Sequence, residues 1–352
     1  MKEECAVQMT TELVDPTEDA NWDRQVLSHP RANAFHSAAW ARVLMTTYGH
    51  RPVYVRCTKG DRLVALVPLM EVQSLLRARR GISLPFSDFC DALLFDPSCE
   101  EECYLRLGAM APQRNWRYLE LRGTGCVPAS ATPAVSFYSH QLDLRGGPEA
   151  VSGRFRPSVR QALRKVGRTP LTVSIEHSEA AMRTFFPLHV LTRRRHGLPP
   201  QSLSFFLNIH REIIAQKMGF VVVVRLEGRP IAAMVFFHWG KTGIYKFGAS
   251  DKSFQELRPN NLAMSTAIQS LAEAGSETLH FGRSSLSNAG LRRFKLTWGA
   301  TEEMLHYYRY DIRRGEWGAS RDRTEGLHTE LFRRLPSMLN RLAGSLIYAH
   351  LD

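Results

Sequence analysis

The chain has 352 residues, 44% of them hydrophobic and 10% aromatic, with a formal net charge of +12 and a pI near 9.7. That length favours about two domains, and the apolar content is that of a globular protein with a true core, which excludes disordered and fibrous classes. No stretch reaches the ~18 consecutive apolar residues of a membrane span, and the surplus of positive charge points to an anionic partner: phosphate, nucleic acid or an acidic membrane face.

Residues 1–25 are polar and are expected to be loosely attached. No apolar run follows Met1 to Cys5, so no signal peptide is expected and the location read from the sequence is cytoplasmic. Ser37 is placed to cap a helix with Trp40, Val43, Leu44 and Thr47 on one face. Val53–Thr58 and Arg62–Val72 read as a hairpin across Lys59-Gly60-Asp61. The loop from Ser83 to Phe89 is aromatic, which suits either the lining of a site or a segment tucked under the core. A helix over Glu101–Pro112 and strands at Tyr118–Arg122 and His140–Asp143 complete a first half, and Arg145-Gly146-Gly147-Pro148 is the candidate boundary. The cysteines, Cys5, Cys57, Cys90, Cys99, Cys103 and Cys126, all lie in this half. They form no Cys-x-x-Cys pair and no zinc spacing with histidine, although Cys99 and Cys103 could share a helix face, so free thiols and no metal are expected.

The second half opens with Arg154, Arg156, Arg160, Arg164, Lys165 and Arg168, six cations in fifteen residues. Arg160, Arg164 and Arg168 recur every four residues, which makes either a solvated helix surface or an anion-binding wall. A strand at Leu171–Glu176 and helices near Ala180–Leu191 and Ser204–Lys217 follow. The apolar runs Phe220–Leu226, Ile231–Trp239 and Ile244–Ala249, separated by short glycine-bearing breaks, predict an antiparallel meander. Pro259 opens a helix with Met264, Ala267, Ile268 and Leu271 on one face, and Gly275 ends it. A short strand, Thr278–Phe281, leads into a polar loop, Gly282-Arg283-Ser284-Ser285. The segment Leu291–Gly299 and a strand, Met304–Asp311, follow. The tail carries Leu331, Leu335, Met338, Leu342 and Leu346 on one face. Packing on the body, or lying at the inner membrane face, would suit it.

Both halves run as helix, hairpin, helix, strand, an α+β layered order. There is no Gly-x-Ser-x-Gly elbow, no phosphate-binding Gly-x-x-x-x-Gly-Lys-Ser/Thr loop and no His-Glu-x-x-His pair. Acyl transfer to an amine needs less: two reactants held together, a stabilised oxyanion and one proton removed. Lys295 beside Phe294 could supply a cation near the carbonyl, and Arg283, Ser284, Tyr245 and Lys246 could hold the rest.

These residues resemble a family. Leu279-His280-Phe281-Gly282-Arg283-Ser284 and Phe294-Lys295-Leu296-Thr297-Trp298-Gly299-Ala300 look like the phenylalanine-lysine signature of the FemAB-like aminoacyl/acyl transferases. Tyr245 to Ser250 followed by Pro259-Asn260-Asn261-Leu262 matches the strand and helix that precede it there. Phe35-His36-Ser37-Ala38-Ala39-Trp40, Tyr48-Gly49-His50 and Leu84-Pro85-Phe86-Ser87-Asp88 resemble the N-terminal half. Within that group the motifs are similar to FemAB-like proteins of exopolysaccharide and exosortase (PEP-CTERM) loci, also described as BioF2-like acetyltransferase domains.

The resemblance implies tandem GNAT-like domains with mixed, mostly antiparallel sheets over residues 26–147 and 148–313, with 314–352 a helical tail. It implies an N-acyltransferase of cell-envelope or exopolysaccharide synthesis. No tightly bound cofactor is implied, only an acyl donor: aminoacyl-tRNA, acyl-CoA or an acyl-carrier protein. The acceptor would be an amino sugar or peptidyl amine bearing phosphate. Phe294 and Lys295 would lie at the transfer site. His36, Trp40, Ser87, Asp88, Arg160, Arg164, Arg283, Ser284, Tyr245, Lys246, Asn260 and Asn261 would line the substrates. The glycine-rich turn that cradles a coenzyme A pyrophosphate is absent; Phe254 to Asn261 stands in its place. Two alternatives stay open, a non-catalytic binding protein on the same scaffold and a basic nucleic-acid-binding module.

Overall fold

The computed structural model describes residues 8–73 and 78–318, with Gly344, Ile347 and Tyr348. The chain divides into two compact units. Of the described residues, 8–136 and 305–318 form the first and 137–304 lie in the second. The predicted amphipathic tail therefore falls largely outside the described residues.

The first unit holds β1 (Met9–Val14), α1 (Trp22–Leu27), α2 (Ala38–Tyr48), β2 (Arg51–Pro52), β3 (Tyr54–Lys59), β4 (Arg62–Val67), β5 (Met70–Val72), β6 (Arg80–Ile82), β7 (Leu93–Leu94), α3 (Glu100–Gln113) and β8 (Tyr118–Arg122). Strands β1-β3-β4-β7 pair in that order, and β8-β6-β5-β2 form a second set. Ser37 caps α2 as expected, its side chain accepting the Trp40 N–H. The hairpin arm expected over Arg62–Val72 is two strands. Pro68 has no N–H to continue the ladder, so β4 pairs with β3 while β5 turns to β2 and β6. Cys57, Cys90, Cys99, Cys103 and Cys126 are buried free thiols.

The second unit holds β9 (Val135–Asp143), α4 (Gly147–Gly153), α5 (Pro157–Val166), β10 (Leu171–Glu176), α6 (Glu179–Arg195), α7 (Leu203–Ile209), β11 (Gly219–Leu226), β12 (Arg229–Trp239), β13 (Thr242–Ser250), α8 (Pro259–Glu273), β14 (Thr278–Ser285) and α9 (Ala289–Thr297). Then β15 (Thr301–Asp311) carries the chain back to the first unit, where β16 (Glu316–Trp317) pairs with it. The strand order is β10-β11-β12-β13-β14-β9, antiparallel at every step except β13–β14. The three apolar runs pair as the predicted meander. Val221 to Val224 are fully buried, as a strand covered on both faces requires. Met264, Ala267, Ile268 and Leu271 of α8 pack on one face with Val222, Val224 and Met234. Phe185 of α6 and Phe205 and Phe206 of α7 pack with Phe247 on the other.

Four expectations need revising. The described residues of the N-terminal segment are not loose: Met9–Val14 pairs along β3 and Trp22 is buried. Gly282-Arg283-Ser284-Ser285 is not a loop: β14 continues through it to Ser285. Polar residues hide a strand there because a bulge, not a turn, occupies Gly282. Strand β9 is longer than expected, beginning at Val135, and its register with β14 (Thr278 opposite Asp143) puts its body in the second unit. The two units accordingly divide at 136/137, ahead of the Arg145–Pro148 run. Finally, β15 begins at Thr301 and leaves the second unit at Leu305.

Candidate functional site

The one parallel step in the second unit's sheet makes a fork. Strands β13 and β14 are joined by α8 and pair only from Thr242/Thr278 to Ile244/His280. Beyond that, β13 runs on to Ser250 and β14 to Ser285 with no rungs between them. The opening lies at the carboxyl ends of two parallel strands, the usual place for a ligand in such a sheet. Each strand carries a bulge at the fork. In β13 the extra residue is Lys246, because Val235 faces Phe247 while Phe236 faces Tyr245. A regular strand would put Tyr245 and Phe247 on one face; the bulge splits them. Tyr245 packs toward Phe236 and Phe281, Phe247 toward Phe185 and Phe206. Gly248 makes room for this, since a Cβ there would lie 1.8 Å from the Tyr245 hydroxyl. In β14 the extra residues are Phe281 and Gly282, opposite His140. Gly282 takes φ +67°, which a side chain would resist.

Beside the fork, α5, the start of α8 and α9 enclose an open groove of about 1090 Å³. Arg164, Lys165, Arg168, Arg258 and Arg293 line it together with Asn261, Phe294 and Thr297, and among the described residues no carboxylate does. Lys165 reaches only the exposed Glu256, at 3.9 Å. Five cations against this one distant, exposed carboxylate focus a positive potential into a concave site. The start of α8 adds less than a helix terminus can. Pro259 holds its first position, so one N–H is missing, and Arg258 before it takes the left-handed φ of 59°. The positive character of the groove therefore comes from guanidinium and ammonium groups rather than from backbone amides.

Under α9 lies a second polar cluster. Lys295 is 2% exposed; its Nζ donates to the carbonyls of Gly282 (2.8 Å) and Arg283 (3.1 Å), holding the β14 bulge. His140 is fully buried, with Nε2 2.9 Å from Glu302 Oε2. Arg292 grips both oxygens of Glu302 (2.6 and 2.7 Å) and stacks over Tyr138. Hydrogen bonds from Arg292 hold the Glu302 carboxyl below its ordinary pKa. Burial first, then the Lys295 charge, lowers that of His140, against the pull of Glu302. His140 Nδ1 and Ser284 Oγ are among the buried atoms with no hydrogen-bond partner among the described residues. Such atoms cost about 1–3 kcal/mol each when nothing fills the space beside them. The β9–β14 register pairs Ser284 with Tyr138, two residues from His140, so all three side chains share the face under α9.

Of the residues singled out from sequence, Arg164, Asn261 and Phe294 meet in the groove. Phe294 packs edge-on against Trp298. Asn260 Nδ2 donates to Ser250 Oγ at 3.2 Å, tying α8 to the end of β13. Arg160 turns away from the groove and donates to the Phe155 carbonyl at 2.8 Å, so the three-arginine face expected of this helix does not form. Arg283 stacks on Phe137 and Lys246 on Phe247. Burial pushes the Tyr245 phenol well up, which keeps it a neutral donor. Lys295, expected to meet the carbonyl being transferred, is directed at two carbonyls of this chain.

In the first unit, His36 Nδ1 accepts the Asn33 N–H (3.3 Å) and its Nε2 donates to the Asp91 carbonyl (3.0 Å). Trp40 packs on Phe35 inside the core. Ser87 Oγ donates to the Leu84 carbonyl (2.7 Å), and the Asp88 carbonyl accepts from Tyr307. These four serve the unit's own packing and turns. Sequence reasoning placed Arg168 in the basic stripe but missed Arg258, Arg293, His140 and Glu302. The last two are 162 residues apart, and no local pattern joins them.

The geometry is that of a mixed α+β sheet split at one parallel step, as in the acyltransferase class built on the GNAT fold. Residues 153–303, all in the second unit, match the acetyltransferase (GNAT) domain family. No curated protein matches the chain in sequence. The structure is similar to the crystal structure of FemX, with a TM-score of 0.67 at 13% identity over 85% of this chain and 96% of that one. It is also similar to a tandem GNAT protein from the clavulanic acid biosynthesis pathway (TM-score 0.52, 9% identity, 87% and 99% covered). A third similar structure is a conserved protein of unknown function from Bacteroides thetaiotaomicron VPI-5482 (0.52, 10%, 86% and 99%). At such identities the likeness is one of fold. The family match itself is confined to residues 153–303, less than half of the chain. Among the described residues, no group of His, Cys, Asp and Glu is arranged to hold a metal, and no helix is long and apolar enough to cross a membrane.

Proposed function

We propose that the chain is an N-acyltransferase that passes an acyl or aminoacyl group to an amine of a phosphate-bearing amino sugar or peptidyl acceptor, in cell-envelope or exopolysaccharide synthesis. The observation that carries this reading is the groove of five cations beside the open fork of β13 and β14. In this reading the donor's acyl arm lies in the fork, where β13 and β14 no longer pair with each other. The phosphate-bearing part lies against Arg164, Lys165, Arg168, Arg258 and Arg293. Lys295 holds the β14 bulge that shapes the fork. The GNAT class favours an acyl-CoA-like thioester as donor; aminoacyl-tRNA and acyl-carrier protein are the other two candidates. Both halves are read as GNAT-like, the second as the catalytic one.

The test is incubation of the purified protein with aminoacyl-tRNA, acyl-CoA and acyl-carrier donors separately, with an amine-bearing glycan phosphate as acceptor. Mass spectrometry should find one donor deacylated and the acceptor heavier by that acyl group. A second reading, a binding protein without turnover, is favoured by one feature: the Lys295 ammonium already serves Gly282 and Arg283. Tight acceptor binding with all three donors left intact would decide for it.

A further inference from the structure

Glu302 is kept ionised by its two hydrogen bonds from Arg292. An ionised carboxylate only accepts, so the proton between it and His140 belongs to the imidazole Nε2. The lone pair of the neutral ring is then on Nδ1, the atom with no partner among the described residues. The groups that face this ring are Glu302 from β15 and Lys295 and Arg292 from α9. The two cations and burial hold the ring neutral; Glu302 opposes them. Ser284 Oγ, also without a partner, lies on the same face two residues along the β9–β14 ladder. A buried imidazole with one nitrogen fixed by a carboxylate and the other left as a free acceptor is the arrangement that proton abstraction needs.

We propose that His140 is the base of the transfer, its Nδ1 taking the proton shed by the acceptor nitrogen while Glu302 positions the ring from the opposite side. This rests on the acyl-transfer reading above. The acceptor nitrogen's lone pair forms the new C–N bond. The bond from the acyl carbon to the donor's sulfur or oxygen breaks, and its electron pair leaves on that atom. The nitrogen's proton moves to His140 Nδ1, and from there to the leaving thiolate or alkoxide. Ser284 Oγ offers a hydroxyl to the same nitrogen or to a water between them. No oxidant, metal or further reactant enters the balance.

The deciding variant is His140→Gln. Its side-chain amide can keep the hydrogen bond to Glu302 but has no lone pair where Nδ1 stood. The turnover number should fall about 10²-fold or more, with unchanged thermal stability and unchanged acceptor affinity, and the acid limb of the pH–rate profile should vanish. An active wild type beside a variant of equal turnover and equal pH profile overturns the proposal. If the variant does not fold, ¹⁵N-histidine NMR of the wild type decides. The expected signal is a neutral Nε2–H tautomer at pH 7 with Nδ1 unprotonated. A protonated Nδ1, in either the other tautomer or the imidazolium, overturns the proposal. A wild type inert with all three donor classes is a different failure, since it removes the transfer reading itself.

Discussion

Lys295→Ala separates a structural ammonium from a catalytic one. In the wild type Nζ makes two charge-assisted hydrogen bonds, at 2.8 and 3.1 Å, to carbonyls flanking the β14 bulge. Each such bond contributes about 1.5–3 kcal/mol net, and two on one donor group add incompletely. Removal also relieves the cost of burying the ammonium, which offsets part of the loss. The expected destabilisation is about 3 kcal/mol, a fall of roughly 6–12 °C in Tm for a unit of this size. Urea melts of the wild type, Lys295→Ala and Lys295→Met give the number, with donor turnover measured where all three are folded. Lys295→Met restores the aliphatic packing but not the hydrogen bonds, so it should recover only a minor part. Without the Lys295 charge, His140 should also titrate higher. A variant within ~0.5 kcal/mol of the wild type that nevertheless loses turnover would refute the reasoning. The ammonium would then be serving the substrate rather than the bulge.

Arg164→Glu and Arg293→Glu should each raise the KM for the phosphate-bearing substrate about 10-fold or more, with kcat little changed and a shallower dependence on salt; steady-state kinetics at several ionic strengths reads this. Gly248→Ala places a Cβ on the Tyr245 hydroxyl and should cost about 1–3 kcal/mol in thermal or urea unfolding. His189 is buried against Gln201, and burial pushes its pKa down to about 3. Its contribution to stability is complete above the unfolded value near 6.5 and is lost as the pH falls toward 3, by about 1.4 kcal/mol per pH unit. Urea melts between pH 7 and 4 should show that slope, and His189→Gln should flatten it.

The meander, α8 and the cap of α2 were legible because each is written locally: apolar runs broken by glycine, a period-3.6 stripe after Pro259, and Ser37 ahead of Trp40. The groove was half legible. Clustered cations announce themselves, yet only the fold shows that Arg164 and Arg168 face inward while Arg160 turns to the Phe155 carbonyl. Helix α5 ends at Val166, before the expected arginine face is complete. The polar half of β14 was hidden because its alternation is broken by the bulge at Gly282, and a bulge in a polar run looks like a loop. His140 and Glu302 lie on strands far apart in the chain. The resemblance to a known signature drew attention to Lys295 itself, and could not tell that its ammonium faces the chain's own carbonyls.

Pro259 and the left-handed Arg258 have a consequence for how this protein can change. A cradle built from main-chain amides is tied to the path of the polypeptide and can be altered only by redrawing a loop. Here the positive charge of the groove is vested in five separate side chains, each replaceable by a single codon change while the sheet and its helices stay as they are. On the proposed reading, the preference for one phosphorylated molecule over another can therefore drift in small heritable steps on an unchanged frame.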